Sequence, residues 1–323
     1  MLRVKDLRTY FTAEHAVLKA VDGVSFDLEP DRTLGIVGES GCGKSITALS
    51  IMGLIRPPGK VVGGQILYQR KGKTVDLATL DLKGPEFRAI RGNDIAMIFQ
   101  EPMTSLNPVF TIGSQIMEPL MVHQGLKKEQ ARQRAVEMLD RVGIPMPRQR
   151  AGEYPHQLSG GMRQRAMIAM ALSCTPALLI ADEPTTALDV TIQAQVLDLM
   201  ADLRQELKTS IIVITHNLGV VAGFTDDVLV MYLGKIVESG PVRDVFHGAA
   251  HPYTQGLLKS APSVVEDQAE LSPIEGVVPD LLHIPAGCGF VTRCKEATAL
   301  CYKEMPPSVE ITPGHCVSCW KES

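Results

Sequence analysis

Eight consecutive residues, Gly38-Glu39-Ser40-Gly41-Cys42-Gly43-Lys44-Ser45, fit the pattern G-x-x-x-x-G-K-[ST]. Glycines at these places let the backbone wrap so that successive N–H groups face an anionic phosphate chain. A lysine here reaches the β and γ oxygens, and the following hydroxyl can bind Mg²⁺. Cys42 occupies a variable slot and reads as a small filler, although a helix N-terminus beside it could lower its pKa. Further along, the apolar run Leu178-Leu179-Ile180-Ala181 ends in Asp182-Glu183. One carboxylate there can order a Mg²⁺ shell and the other can polarise an attacking water. Leu158-Ser159-Gly160-Gly161 precedes an apolar helical pattern, which places Ser159 and both glycines at a helix N-terminus able to face an anion. Five cysteines crowd between 288 and 319. Cys288, Cys294, Cys301 and Cys316 are separated by five, six and fourteen residues, and Cys319 appears surplus in this spacing. Four thiolates suffice for an iron–sulfur cluster or for a tetrahedral zinc, and composition does not choose between them.

These residues need elements to hold them. Thr33-Leu34-Gly35-Ile36-Val37 reads as a strand feeding the glycine loop, and Ile46, Leu49, Ile51 and Met52 give the following segment a helical period, stopped by Pro57-Pro58-Gly59. Strand, loop and helix in that order is the context a phosphate-binding loop requires. Shorter strands are expected at Leu2 to Val4 and from about Val17 to Leu28. Ile95-Ala96-Met97-Ile98-Phe99 forms another strand-like run, and residues 113–150 read as helical, with Ala131, Ala135, Met138, Leu139 and Val142 on one face. Residues 178–181 and 211–215 resemble buried parallel strands flanking a helix over 192–207. A hairpin is expected around Leu233-Gly234. The core should end near 245, after which eight prolines and the cysteine cluster mark an appendage with little regular structure.

At 323 residues the chain is long enough for about two domains, and with 45% apolar and 21% charged residues it should fold as an α/β globule. Its formal net charge of −4 offers no basic surplus for a nucleic-acid backbone. The longest uncharged stretches, 166–181 and 209–225, are interrupted by polar residues, Pro176 or glycines and read as core segments rather than membrane spans. The first residues lack the apolar core of a signal peptide, so the chain is expected to stay in the cytosol and its cysteines to be buried or metal-bound rather than disulfide-paired.

Taken in order, the phosphate loop, Gln100, Leu158-Ser159-Gly160-Gly161, Asp182-Glu183, Thr186-Ala187-Leu188-Asp189 and His216 resemble the motif series of the ATP-binding-cassette (ABC) ATPases across residues 1–245. That resemblance implies a P-loop NTPase core, α/β in class, with an antiparallel β subdomain and a helical signature subdomain inserted at about 101–165. It implies ATP and Mg²⁺ as cofactors, and a head-to-tail dimer in which Ser159, Gly160 and Gly161 act on the partner's nucleotide. Glu183 becomes the catalytic base, with His216 at the γ-phosphate and Gln100 at Mg²⁺ or water. Asp182 and Ser45 also serve the metal, and Asp189 faces the dimer. Phe11 is similar to the family's adenine-stacking aromatic, with neighbouring Tyr10 or plain strand packing as the other readings. Met162 departs from the glutamine that many family signatures carry.

A narrower resemblance follows from 96–108, Ala96-Met97-Ile98-Phe99-Gln100-Glu101-Pro102-Met103-Thr104-Ser105-Leu106-Asn107-Pro108, and from His251-Pro252-Tyr253-Thr254-Gln255. Both look like the ATPase subunits of dipeptide, oligopeptide and nickel importers. The implied partners are two transmembrane permease subunits, a second ATPase subunit and, indirectly, an extracytoplasmic binding protein, with this chain peripheral at the cytoplasmic face of the membrane. Residues 113–122 would lie in the part that grips the permease. The extension, 246–323, is similar in its cysteine spacing to importer tails that hold a [4Fe–4S] cluster. The resemblance also leaves room for an importer of nickel chelates or oligosaccharides. A soluble ABC ATPase of DNA repair or translation is the rival from another class; such proteins usually bring two cassettes, a coiled coil or basic surfaces.

Overall fold

The computed structural model describes residues 1–13, 16–100, 105–186, 189–260 and 274–323. Two compact units divide the chain. The first joins Met1–Thr79 to Ile214–Ser323, and the second is Leu80–Val213.

In the first unit, β1 (Leu2–Ala13) and β2 (Ala16–Leu28) pair antiparallel, from Leu2 opposite Leu28 to Ala13 opposite Ala16. Alternation fixes their faces: Val24, Phe26 and Leu28 are buried, while Ser25 and Asp27 between them are exposed. Next comes β3 (Thr33–Val37), buried at every position, followed by the glycine loop and α1 (Lys44–Ile51). The hairpin of β4 (Gly59–Arg70) and β5 (Lys73–Asp76) completes an antiparallel sheet of order β2-β1-β4-β5.

The second unit opens with α2 (Pro85–Ile90) and β6 (Ile95–Ile98). A helical run follows: α3 (Ile112–Gln124), α4 (Lys128–Arg141), α5 (Pro147–Arg150) and α6 (Gly160–Leu172). Thr111 caps α3 by accepting from the Ser114 N–H at 3.3 Å, and Gly125 ends it in the left-handed region. The buried face of α4 is Ala131, Ala135, Met138 and Leu139, the helical spacing expected. Then β7 (Leu178–Asp182), α7 (Val190–Leu207) and β8 (Ser210–Ile214) return to the α/β pattern, with strand order β8-β7-β6. Both β7 and β8 are buried throughout, which is why they read as unbroken apolar runs.

Back in the first unit lie α8 (Leu218–Phe224), β9 (Asp227–Tyr232) and β10 (Lys235–Pro241). Leu233 and Gly234 both take positive φ between the two strands, the geometry of a tight hairpin turn. The region beyond 245 corrects an expectation. Besides α9 (Val242–His247), it holds α10 (Pro252–Ser260), α11 (Ala299–Lys303), β11 (Val309–Thr312) and β12 (His315–Val317). Far from being irregular throughout, the tail extends the sheet, giving the order β11-β12-β10-β9-β3 in this unit. Glu238 explains the return. This fully buried carboxylate on β10 accepts from the N–H groups of Ala250 and His251 and meets His315 Nε2 at 2.8 Å, so it fastens the start of α10 and the tail strand to one point. A buried charge persists only when its hydrogen bonds are made.

Candidate nucleotide site and cysteine cavity

The loop between β3 and α1 takes the shape its glycines permit. Gly38 has φ +150 and Gly43 φ +101; a Cβ on the first would overlap the Met231 carbonyl, and one on the second the Ala20 carbonyl. Lys44 is 5% exposed and curls back, its Nζ donating to the carbonyls of Gly38 at 2.8 Å and Glu39 at 2.9 Å. Those carbonyl bonds hold the ammonium over the loop. Ser45 follows on the first turn of α1, half-buried; Ser40 and Gly41 are exposed, and Cys42 is buried with its Sγ 3.7 Å from Lys44 Nζ. Burial pushes the Cys42 thiol up, against the opposing pull of Lys44, so the low pKa considered from its place before a helix is not found.

Phe11 lies half-buried on β1, opposite Gly59, where a Cβ would strike its ring. Adjacent Tyr10 is engaged elsewhere: its hydroxyl donates to Asp22 at 2.6 Å, and burial and that bond push its pKa up to about 12. His216 is exposed in the turn between β8 and α8, next to Asn217, which caps α8. The Thr215 N–H, one residue before, donates to the Ile36 carbonyl of β3.

In the second unit, Asp182 ends β7 as a buried carboxylate, and Glu183 follows with φ +47. A glutamate in the left-handed region is strained, and such strain is characteristic of functional turns. One oxygen of Glu183 accepts from Gln100 Nε2 at 3.0 Å and from the Thr186 hydroxyl at 2.8 Å. The predicted catalytic pair Gln100 and Glu183 is thus brought into direct contact. Ser159 caps α6 by accepting from the Met162 N–H; it and Gly160 are exposed, and nothing stands within 4 Å of a Cβ built on Gly160. Gly161 faces Ile192, and Gln164, four residues along from Gly160 on the same helix, donates to the Pro184 carbonyl. Asp189 is exposed and caps α7 through the Ile192 N–H at 3.0 Å. Ala187 and Leu188 of the Thr186-Ala187-Leu188-Asp189 motif, and Glu101-Pro102-Met103-Thr104 of the narrower one, lie outside the described residues.

The cysteines sort differently from their spacing. Cys288, Cys294, Cys301 and Cys319 line one cavity of about 190 Å³ together with Phe290, Leu300 and Trp320. Cys316, expected as the fourth member, sits instead in the middle of β12 opposite Ser239, and Cys319, expected to be surplus, joins the other three. The reason is strand alternation. His315 and Val317 are buried on one face of β12, which turns Cys316 to the other. Burial raises the Cys288 thiol to about 11, with the neighbouring thiols adding to it, and also raises Cys294 and Cys319. Among the described residues, no group of three or more His, Cys, Asp or Glu stands close enough together to hold a metal ion.

Two residues at the phosphate loop carried no sequence signal for that place. The Tyr253 hydroxyl accepts from the Glu39 N–H at 2.8 Å, and Arg293 grips the Glu39 carboxylate with two bonds of 2.6 and 3.0 Å. Tyr253 belongs to a motif noted by resemblance alone. Arg293 lies 254 residues from its partner, a separation local pattern does not bridge.

Comparison with known proteins adds to this geometry. The family model described as ABC transporter matches residues 21–186, and that of the oligopeptide/dipeptide transporter C-terminal region matches 237–301. The dipeptide transport ATP-binding protein DppD of Bacillus subtilis is 51% identical over 321 residues, covering 99% of this chain and 94% of that protein. The oligopeptide transport ATP-binding protein AppD of the same organism is also 51% identical, covering 99% and 96%. Among solved structures, a dimeric ATP-binding cassette in a post-hydrolysis state with ADP and Pi aligns with a TM-score of 0.66 at 26% identity, over 75% of this chain and 99% of that one.

Proposed function

Because the chain belongs to the ABC transporter family, as an ATP-hydrolysing subunit that powers a peptide importer, we propose that its residues divide the work of one ATPase cycle as follows. The backbone amides of the glycine loop and Lys44 take the triphosphate, and Phe11 stacks on the adenine. The hydroxyl of Ser45 and the carboxylate of Asp182 are hard oxygen donors suited to Mg²⁺, with Gln100 as a further ligand or water contact. When bound, that ion spreads the charge of the phosphoryl oxygens. Glu183 accepts the proton of the attacking water, and His216 orients the γ-phosphate. Ser159, Gly160 and Gly161 complete the site of a second subunit, toward which the exposure of Ser159 and Gly160 leaves the turn open, and Asp189 faces that subunit. The observation that carries the reading is the Glu183 carboxylate held by Gln100 and Thr186 on a strained turn directly after buried Asp182.

Binding would close two such subunits and hydrolysis would reopen them, rocking separate permease chains between inward and outward access. Among the described residues, no helix is long and apolar enough to cross a membrane, which fits a peripheral subunit at the cytoplasmic face whose channel, and whose extracytoplasmic binding protein, are other chains. Co-expression with candidate permease subunits of a peptide importer, followed by purification and a peptide-uptake assay in vesicles, tests this. ATP-dependent uptake of peptides supports it; tight, salt-sensitive nucleic-acid binding without any permease would favour the repair or translation reading.

For the tail, the proposed group is a [4Fe–4S] cluster held by Cys288, Cys294, Cys301 and Cys319, with zinc as the other candidate. The four thiols line one largely apolar cavity of about 190 Å³, although no three of them stand close enough together to hold a single metal ion. Such a cluster would cross-link a segment too proline-rich to fold strongly alone. Anaerobically purified protein is expected to contain iron and labile sulfide. Cys319→Ser should lose both, and Cys316→Ser should keep them. Stoichiometric zinc without iron, or loss on Cys316→Ser with retention on Cys319→Ser, would contradict this assignment.

A further inference from the structure

Glu39 is pinned at three points. Its N–H donates to Tyr253 Oη at 2.8 Å, its carbonyl accepts from Lys44 Nζ at 2.9 Å, and its carboxylate takes both terminal nitrogens of Arg293. Two of those three grips come from the C-terminal part of the chain. Arg293 is itself held from all sides: its side chain is 2% exposed, Nε donates to the Glu275 carbonyl and Nη2 to that of Ile274, and Nη1 also reaches Tyr232 Oη at 3.4 Å. The guanidinium lies over the rings of Tyr232 and Phe290, 5.9 and 5.8 Å from their centroids. Those rings pack with Tyr253, at 4.6 Å from Tyr232 and 5.4 Å from Phe290. An arginine this enclosed has no freedom to release the carboxylate without disturbing the aromatic cluster. A guanidinium fork is also the one side chain that fixes a carboxylate at two points in a plane.

We propose that Arg293 is a positioning residue for the phosphate loop: with Tyr253 it holds Glu39, and through Glu39 the main chain and Lys44, in the conformation that receives the nucleotide's phosphates. The C-terminal region thereby sets the nucleotide affinity of its own subunit. Glu39 fills a variable slot of the loop motif, so the loop's chemistry does not itself require a carboxylate there. What a carboxylate adds at that slot is a handle for Arg293. Cys294 follows Arg293 directly, so the peptide that carries the grip also carries one wall of the cysteine cavity.

This inference rests on the nucleotide reading of the loop, and the experiment separates the two. Mg-ATP binding to the full chain is measured by calorimetry, and KM and kcat by steady-state hydrolysis, for wild type, Glu39→Gln, Arg293→Gln and the double variant. Arg293→Gln is expected to raise Kd and KM for ATP about tenfold with kcat at saturating ATP within about twofold, because a positioning contact is lost rather than a reacting group. In the double variant the loss should be no greater than in the worse single one, since each residue acts through the other. Where Arg293→Gln fails to fold, Arg293→Lys decides on the same readouts: it keeps the charge but forfeits the two-point grip, and a several-fold rise in Kd is expected. Unchanged Kd in the folded arginine variant, or losses that multiply in the double variant, would overturn the proposal while the nucleotide site stands. Failure of the wild-type chain to bind ATP would remove the reading beneath it as well.

Discussion

Replacing Glu183 with Gln is expected to lower steady-state ATP hydrolysis about 10³-fold, the usual worth of a well-placed general base, while sparing ATP binding. Glutamine keeps the size of the side chain and an acceptor oxygen for Gln100 and the Thr186 hydroxyl, so the turn after β7 should survive. What disappears is the ability to take a proton from water. With hydrolysis blocked and binding intact, the ATP-bound closed dimer should accumulate, visible as a doubling of mass in size-exclusion chromatography with light scattering when Mg-ATP is present. Unchanged turnover would show that the proton goes elsewhere, with His216 then the first candidate.

Substitution of Lys44 by Ala should act on the other half of the chemistry and weaken ATP binding about 100-fold, the order expected for losing charge-assisted bonds to phosphate oxygens in a partly desolvated site. The lysine is nearly buried and donates to two carbonyls of its own loop, so its removal also leaves the Gly38 and Glu39 carbonyls without that donor. Equilibrium binding of a fluorescent ATP analogue separates this from the Glu183 variant: one loses affinity, the other loses turnover. If Lys44→Ala bound ATP as tightly as wild type, the triphosphate would have to sit elsewhere.

Local signals carried much of this into the sequence. The glycine loop is legible because its backbone needs glycine at particular φ values and its lysine at a fixed offset. The strands at β7 and β8 are legible because burial on both faces leaves an unbroken apolar run. The helices after residue 112 announce themselves by spacing. Less visible was β4, whose pattern is broken by Gly63 and Gly64 where its pairing with β1 shifts register. At three and four residues, β12 and β11 are too short for any period to emerge. Their place depends on Glu238 reaching His315, a contact 77 positions apart. The spacing pointed to Cys316 and left Cys319 surplus; the alternation of β12 places Cys316 opposite Ser239, away from the cavity that Cys319 lines with the other three. Arg293 was hidden for the plainest reason, since nothing in a stretch of sequence tells an arginine which distant carboxylate it will meet.

The loop from Gly38 to Ser45 is proposed to bind the phosphates of ATP, and everything else in the cycle depends on that. Titration of Mg-ATP into the purified chain in a calorimeter addresses it most directly. Saturable binding that approaches one nucleotide per chain, and that Lys44→Ala abolishes or greatly weakens, is expected. Absence of any heat or saturation with wild-type protein at millimolar Mg-ATP would contradict it.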